Sequence, residues 1–180
     1  MKYFTPDLYV RGQSLDDDVL DEVDRLWEEA GERYAAYLDT VRAEFSAGLC
    51  HIEERYYLHD AEIRGMARRG ASFIITLQLD TPPHSLVTLT FDLVEEPLIA
   101  KGVFPAELCS SGRVTEWLYD EWQKLGGNPP TWTMSILLSN GWEVYLHFRD
   151  VEVVEAEALL PPPQVSSPSM QTLASSHSAP

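Results

Sequence analysis

The feature that most constrains the fold is a change in hydrophobic period near residue 60. Beyond it, apolar residues alternate with polar ones over residues 73–79 and again over residues 87–93. Successive side chains of a β-strand point to opposite faces, so this alternation predicts half-buried antiparallel strands. Pro82-Pro83 separates the two runs. A similar run over 61–66 precedes them, and a weaker strand is predicted over 98–104.

The N-terminal part has a helical period instead. Ser14 is the predicted N-cap of a helix, and the aspartates at 16–18 oppose the positive end of its dipole. Gly31 could bend or split this helix, and Gly48 is the predicted terminator. The helix is predicted from an apolar stripe whose residues follow one another at steps of three and four: Val19, Val23, Leu26, Ala30, Tyr34, Tyr37, Val41 and Phe45.

The sequence TWTMSILLSNGWEVYLHFRD (131–150) predicts a β-hairpin at Asn140-Gly141. A two-residue loop would put the two apolar rows on opposite faces, which a buried face forbids. A three-residue loop, 139–141, puts both rows on one face and gives Gly141 the left-handed conformation. The predicted pairs are Ile136 with Val144, Met134 with Leu146, and Trp132 with Phe148. The opposite face would carry Thr133, Ser135, Tyr145 and His147.

Composition indicates the cellular compartment and the class of binding partner. The chain has 29 acidic and 13 basic side chains, a net charge of −16, which disfavours nucleic acid and anionic membranes and favours a basic protein. Cys50 and Cys109 are far apart and predict free thiols. With no run suited to a signal peptide or a membrane span, the sequence predicts a cytoplasmic protein. Residues 1–154 form one predicted domain, and the Pro/Ser-rich residues 155–180 a disordered tail.

The pair His59-Asp60 is the stretch that most resembles a chemical site. Metal-dependent phosphohydrolases use an adjacent His-Asp pair, but on a helix and with further ligands, whereas this pair opens a strand. We therefore favour a structural role: Asp60 closes a turn with its side chain, and His59 hydrogen-bonds across the helix-to-sheet joint. The alternative is a ligand or metal site.

A second candidate combines acids and aromatics in the stretch EWLYDEW (116–122). Acids beside aromatic rings can bind a sugar or a cation, but they also occur on half-buried strands. Periodicity slightly favours a helix over 114–125. The candidate ligand-binding residues are His59, Asp60, Trp117, Tyr119, Asp120, Tyr145 and His147.

No catalytic set is predicted. Neither cysteine has a nucleophile signature, and Ser110-Ser111-Gly112 is not a nucleophile elbow. The GGNPP stretch at 126–130 lacks the lysine of a phosphate-binding loop. The sequence therefore predicts no catalytic residue, no metal and no cofactor.

Four stretches of the sequence are compared together: MKYFT (1–5), LHDAEI (58–63), EWLYDE (116–121) and LLSNGWEVYLHFRDVEV (137–153). They resemble an uncharacterised bacterial family, a domain of unknown function. Its members begin with Met-Lys-Tyr-Phe-Thr and carry Leu-His-Asp before an antiparallel sheet. The resemblance implies a helix-plus-sheet fold over residues 1–154 in which 116–121 is a strand, and it implies no activity. The sheet half is also similar to that of small bacterial immunity-type proteins, which bind and block toxins.

Together these observations predict an α+β fold, with a long N-terminal helix or helical hairpin followed by an antiparallel sheet of about six strands. The predicted function is a non-catalytic, immunity-like module that binds a protein. The alternative is a metal-dependent or ligand-binding enzyme that uses His59, Asp60 and residues of the sheet face.

Overall fold

The computed structural model describes residues 1–109 and 114–156 and shows the predicted α+β fold. Ser110-Ser111-Gly112 and nearly all of the predicted tail lie outside these residues; Glu155 and Ala156 belong to the last strand. The described helices are α1 (Pro6–Arg11), α2 (Asp17–Val41) and α3 (Ala47–Arg55). The described strands are β1 (Ala61–Arg69), β2 (Ser72–Gln78), β3 (Leu86–Leu93), β4 (Leu98–Lys101), β5 (Glu116–Gly127), β6 (Pro130–Leu138) and β7 (Trp142–Ala156).

The helical part differs from the prediction at both ends. The N-cap of α2 is Asp16, whose side chain accepts a hydrogen bond from Asp18 N, so the prediction of Ser14 was wrong. Gly31 does not interrupt α2. Gly48 does not end a helix but lies in the first turn of α3, where an added Cβ would come 1.7 Å from Val151 O. It is therefore a point of close contact between α3 and β7.

The sheet is antiparallel with strand order β3-β2-β1-β5-β6-β7-β4, and β3 also pairs with β7. This extra pairing closes six strands into a ring. β4 pairs with the same edge of β7 as β3 does, because β6 occupies the other edge. Leu93 of β3 lies opposite Phe148, and Leu98 of β4 lies opposite Tyr145. Among the described residues, two residue pairs join β1 to β5: Ala61 with Trp117 and Glu62 with Glu116.

The final hairpin has the predicted register. Ile136 pairs with Val144, and two residues further Met134 pairs with Leu146. Gly141 has φ +72°, the left-handed conformation expected of a three-residue loop. The stretch 116–127 is a strand, as the resemblance implied and the helical period did not.

Apolar side chains are buried on both faces of β6. The main core inside the ring includes Trp117, Trp132 and Phe148, each essentially inaccessible to solvent. A smaller cluster on the other face joins Leu118 and Leu137 to residues of α1 and of the 103–109 segment. This second cover buries Leu137, and residues 132–138 are all buried instead of alternating.

α2 lies along the edge of β5 that β1 leaves uncovered. The backbone N–H of Trp122 donates to the Tyr34 hydroxyl at 2.6 Å, and that of Lys124 donates to the Tyr37 hydroxyl at 2.7 Å. These bonds satisfy strand-edge donors that would otherwise lack a partner. No helix among the described residues is long and apolar enough to cross a membrane.

The first residues of the chain are held on the sheet by a buried carboxylate. Glu121 accepts hydrogen bonds at 2.6 Å from the backbone N–H groups of Lys2, Tyr3 and Phe4. The side chain of Glu121 is buried, so these donors supply the polar contacts that its charge requires. The N-terminal segment thus covers part of the face next to the cleft described below.

Candidate functional site

The joint between α3 and β1 positions the predicted His-Asp pair. Nδ1 of His59 is hydrogen-bonded to Leu118 O of β5; because a carbonyl oxygen only accepts, Nδ1 carries the hydrogen. Asp60 has φ +63° and donates its backbone N–H to Trp117 O at 2.8 Å. The turn is closed by the backbone, from Ala61 N to Leu58 O, and not by the Asp60 side chain as predicted. The pair therefore ties the joint to β5.

A cleft of about 250 Å³ opens between this joint, α3 and the edge of β5. The Tyr57 side chain is 65% exposed at its mouth. The rings of His59 and Tyr119 are 4.9 Å apart, and those of Tyr57 and His59 are 5.8 Å apart. We call this space the β5 cleft; its main lining residues are Ile52, Glu53, Tyr57, His59, Tyr119 and Asp120.

Asp120 is the half-buried carboxyl of the β5 cleft. Its Oδ1 accepts a hydrogen bond from Trp117 Nε1 at 2.9 Å. The pKa of Asp120 is raised to about 6. Burial is the largest cause, and the neighbouring Glu53 and Glu121 carboxylates also raise the pKa, whereas the Trp117 hydrogen bond and His59 lower it. Asp120 can therefore exchange a proton near neutral pH, or keep its charge if a cation lies beside it.

Tyr34 and Tyr119 stay neutral at physiological pH. Burial raises the pKa of Tyr119, and it raises that of Tyr34 still more, with the Asp120 charge adding to the effect. Negative charge in the cleft therefore comes from carboxylates, while the tyrosines contribute ring faces and hydroxyl groups.

The structure brings together four of the predicted residues: His59, Tyr119 and Asp120 line the β5 cleft, and Trp117 donates to Asp120 behind it. Asp60 points towards the neighbouring groove, although its Oδ1 lies 3.5 Å from His59 Nε2.

Tyr145 and His147 lie elsewhere, on β7. Tyr145 pairs in register with Ser135 of β6 and Leu98 of β4. Nε2 of His147 is 3.0 Å from Thr131 Oγ1, and its Nδ1 is 3.1 Å from Glu95 Oε1. These two residues therefore form no common site with His59.

Several residues that line the β5 cleft, Glu53 and Tyr57 among them, were not predicted from the sequence as site residues. Glu53 lies on α3, which the sequence analysis did not predict as a separate helix. In the described part of the chain, no three His, Cys, Asp or Glu side chains are arranged to hold a metal ion.

A second charged surface lies on α2. Nine of its carboxylates are exposed, and at 100° per residue they fall within a sector of about 160°. Glu22 is paired with Arg11 and Glu29 with Arg25, so seven of the nine form no ion pair with a described residue. We call this surface the acidic face of α2; it comprises Asp17, Asp18, Asp21, Glu22, Asp24, Glu28, Glu29, Glu32 and Asp39.

Comparison with known proteins identified no relative of this chain. No protein-family model matches the chain, and neither the curated proteins nor the solved structures contain a match. The resemblance to a bacterial family of unknown function therefore stays a prediction.

Proposed function

We propose that this chain is a non-catalytic cytoplasmic module that binds a basic protein through the acidic face of α2. The observation that carries the proposal is the exposure of nine carboxylates on one side of a single helix, seven of them without an ionic partner among the described residues. The other side of α2 is used for packing, where Val23, Ala30 and Leu38 are buried.

Electrostatics favours a basic partner at this surface. A patch of one sign attracts an oppositely charged protein over roughly 10 Å at physiological salt, and it raises the rate of encounter. The net charge of −16 acts in the same direction. Both cysteines are free, which fits a reducing compartment.

The test is capture of proteins from a cell lysate at low salt by three forms of the chain. The first is the wild type. The second, the α2 variant, carries Asp21→Asn, Asp24→Asn, Glu28→Gln and Glu32→Gln. The third is a control with the same change of net charge, in which exposed acids outside α2 are neutralised by Asp80→Asn, Glu107→Gln, Glu116→Gln and Glu152→Gln.

We expect the wild type and the control to retain the same basic protein, and the α2 variant to lose it. The retained protein should be released as salt rises, because exposed charges are screened. The proposal is wrong if no protein is retained, or if the α2 variant and the control retain the same proteins equally well.

A second candidate function is the binding of a small molecule in the β5 cleft. It is favoured by the cleft itself, which joins a half-buried carboxyl to aromatic rings, an arrangement found in ligand sites. Product formation or saturable binding of a neutral ligand, lost in His59→Ala, would favour this function over protein binding.

A further inference from the structure

We propose that the β5 cleft receives the cationic end of one arginine or lysine side chain of the protein partner. The inference rests on the proposed function and specifies where the partner places its most buried charge. It assigns a ligand class to the cleft: an alkyl guanidinium or ammonium group presented by a polypeptide.

The walls of the β5 cleft suit such a group. Tyr57, His59 and Tyr119 present ring surfaces, and the faces of tyrosine rings attract cations. Ile52 and Leu58 also line the cleft and can pack against the aliphatic stem of a long basic side chain. Tyr57 is exposed at the mouth, so a side chain can enter from solvent.

The negative charges of the β5 cleft are not neutralised by basic side chains among its described lining residues. Among the described residues, no lysine or arginine lines it. Glu53 is paired with Arg42 at 3.0 Å, but Asp120 has no cationic partner at hydrogen-bond distance among residues 1–109 and 114–156. The described part of the chain donates one hydrogen bond to Asp120, from Trp117 to Oδ1, which leaves Oδ2 for a ligand.

Burial makes the ionised form of Asp120 unfavourable, as its raised pKa shows. A cation placed beside Oδ2 would offset that cost, because opposite charges in a partly desolvated site attract more strongly than in water. The ionised form of Asp120 is thus more stable with a cation in the cleft than with solvent there.

The β5 cleft is next to α2. The Tyr119 ring is 4.6 Å from that of Trp27 on α2 and 4.9 Å from that of His59 in the cleft. Asp24, at one edge of the acidic face of α2, lines a groove together with Trp27 and Tyr119. A polypeptide drawn to this face can therefore reach the cleft past Tyr119.

The test is an NMR titration of ¹⁵N-labelled protein with capped single amino acids. Arginine and lysine amides are the cationic probes; citrulline and side-chain-acetylated lysine amides are their neutral matches. The reporter is the indole N–H of Trp117, since its acceptor, Asp120, would contact the cation. A basic peptide retained by the acidic face of α2 is titrated in the same way.

We expect both cationic probes, but neither neutral one, to shift the Trp117 signal, and the peptide to shift it at lower concentration. Asp120→Asn keeps an acceptor for Trp117 but removes the charge, and should weaken binding at least about tenfold. Tyr57→Ala, at an exposed ring, should weaken it several-fold. Glu152→Gln, which removes a charge outside the cleft, should have little effect.

The inference is overturned if neither cation binds, if the neutral probes bind equally well, or if Asp120→Asn binds like the wild type. It is also overturned if the free cations bind but the peptide leaves Trp117 unshifted, which would indicate a small amine as the ligand. In each case peptide binding that depends on the acidic face of α2 would still support the proposed function.

Discussion

Asp120 is surrounded mainly by groups that disfavour its ionised form. Glu53 faces it from α3 and Glu121 lies beside it on β5, and both are acidic. The Tyr34 hydroxyl of α2 is close enough to feel its charge but carries none to offset it. The hydrogen bond from Trp117 and, to a smaller extent, His59 favour the ionised form but do not outweigh burial and the two carboxylates. Ionising Asp120 in the folded chain is therefore costly.

We predict that Asp120→Asn raises the free energy of unfolding at pH 7.5. The pKa of Asp120 rises from 3.8 to about 6 on folding, so the folded chain holds its proton more tightly than the unfolded chain. Stability from this group is present below the unfolded pKa and is lost as pH rises through about 6. Asparagine removes that loss, a gain on the order of 2 kcal/mol at pH 7.5.

Urea unfolding of wild type and variant at pH 4.5, 6 and 7.5 measures the effect. The difference between the two proteins should grow with pH and level off above about pH 7. A difference that is constant with pH would mean that Asp120 is not buried enough to titrate abnormally. Glu152→Gln, at an exposed position, should change little.

Only part of the candidate site could be predicted from single residues. Acids beside aromatics in 116–122 pointed to Tyr119 and Asp120, and the His-Asp pair pointed to His59. Glu53 and Tyr57 gave no comparable signal, because their role depends on how α3 and the following joint lie against β5. Tyr145 and His147 face away from the main core as predicted, but no sequence pattern indicates which strand neighbours them in space.

The packing of α3 on β7 depends on a glycine. A Cβ on Gly48 would lie 1.7 Å from Val151 O and 2.8 Å from Val151 C, both backbone atoms that cannot move independently. Gly31, in the middle of α2, has nothing within 4 Å of the same position. The two glycines therefore form a matched pair: the methyl group of an alanine would collide with backbone atoms at position 48 and would have free space at position 31.

We predict opposite signs for the two substitutions. Gly48→Ala should lower the free energy of unfolding by about 3 kcal/mol, because α3 must move away from β7. Gly31→Ala should raise it by about 1 kcal/mol, the difference in helix propensity. Chemical denaturation of both variants measures this, and a Gly48→Ala protein as stable as the wild type would show that α3 is not packed as described.

The strands show where sequence patterns are sufficient. The last hairpin could be placed in register because two apolar rows and Gly141 leave one arrangement that buries both rows. In β1 the alternation was misleading, because a bulge between Ile63 and Gly65 makes Met66, and not Gly65, pack against the core. In β6 alternation disappears because side chains of both faces are buried, and on the second face Leu137 packs against α1 and the 103–109 segment.

At the scale of the whole molecule, the closure of the sheet could not be predicted. β3 joins β7, and in the described part of the chain two residue pairs join β1 to β5, so the ring depends on contacts distant in sequence. Tyr34 and Tyr37 belonged to the predicted apolar stripe of the helix, but their hydroxyls bond the edge of β5. Hydrophobic period indicates that a side chain is inward-facing and does not indicate its hydrogen-bond partner.

The net charge of −16 leads to the last prediction, which concerns salt. Like charges repel in the compact state, so added salt should stabilise the folded chain by on the order of 1 kcal/mol. The opposing effect, weakening of ion pairs, is small because the described pairs are mostly exposed. On α2 the repulsion is concentrated, since Asp17, Asp21, Asp24, Glu28 and Glu32 follow one another at steps of three and four.

The α2 variant should therefore be more stable than the wild type at low salt, by about 1 kcal/mol, and should gain less from added salt. The control variant with four neutralised acids outside α2 has the same net charge but removes fewer close repulsions, so it should gain less stability. Urea unfolding at low and high salt compares the three proteins. Equal gains in the two variants would mean that net charge alone sets the repulsion. A larger gain in the α2 variant would show that this helix keeps its carboxylates at a cost in stability, as expected of a surface used for binding.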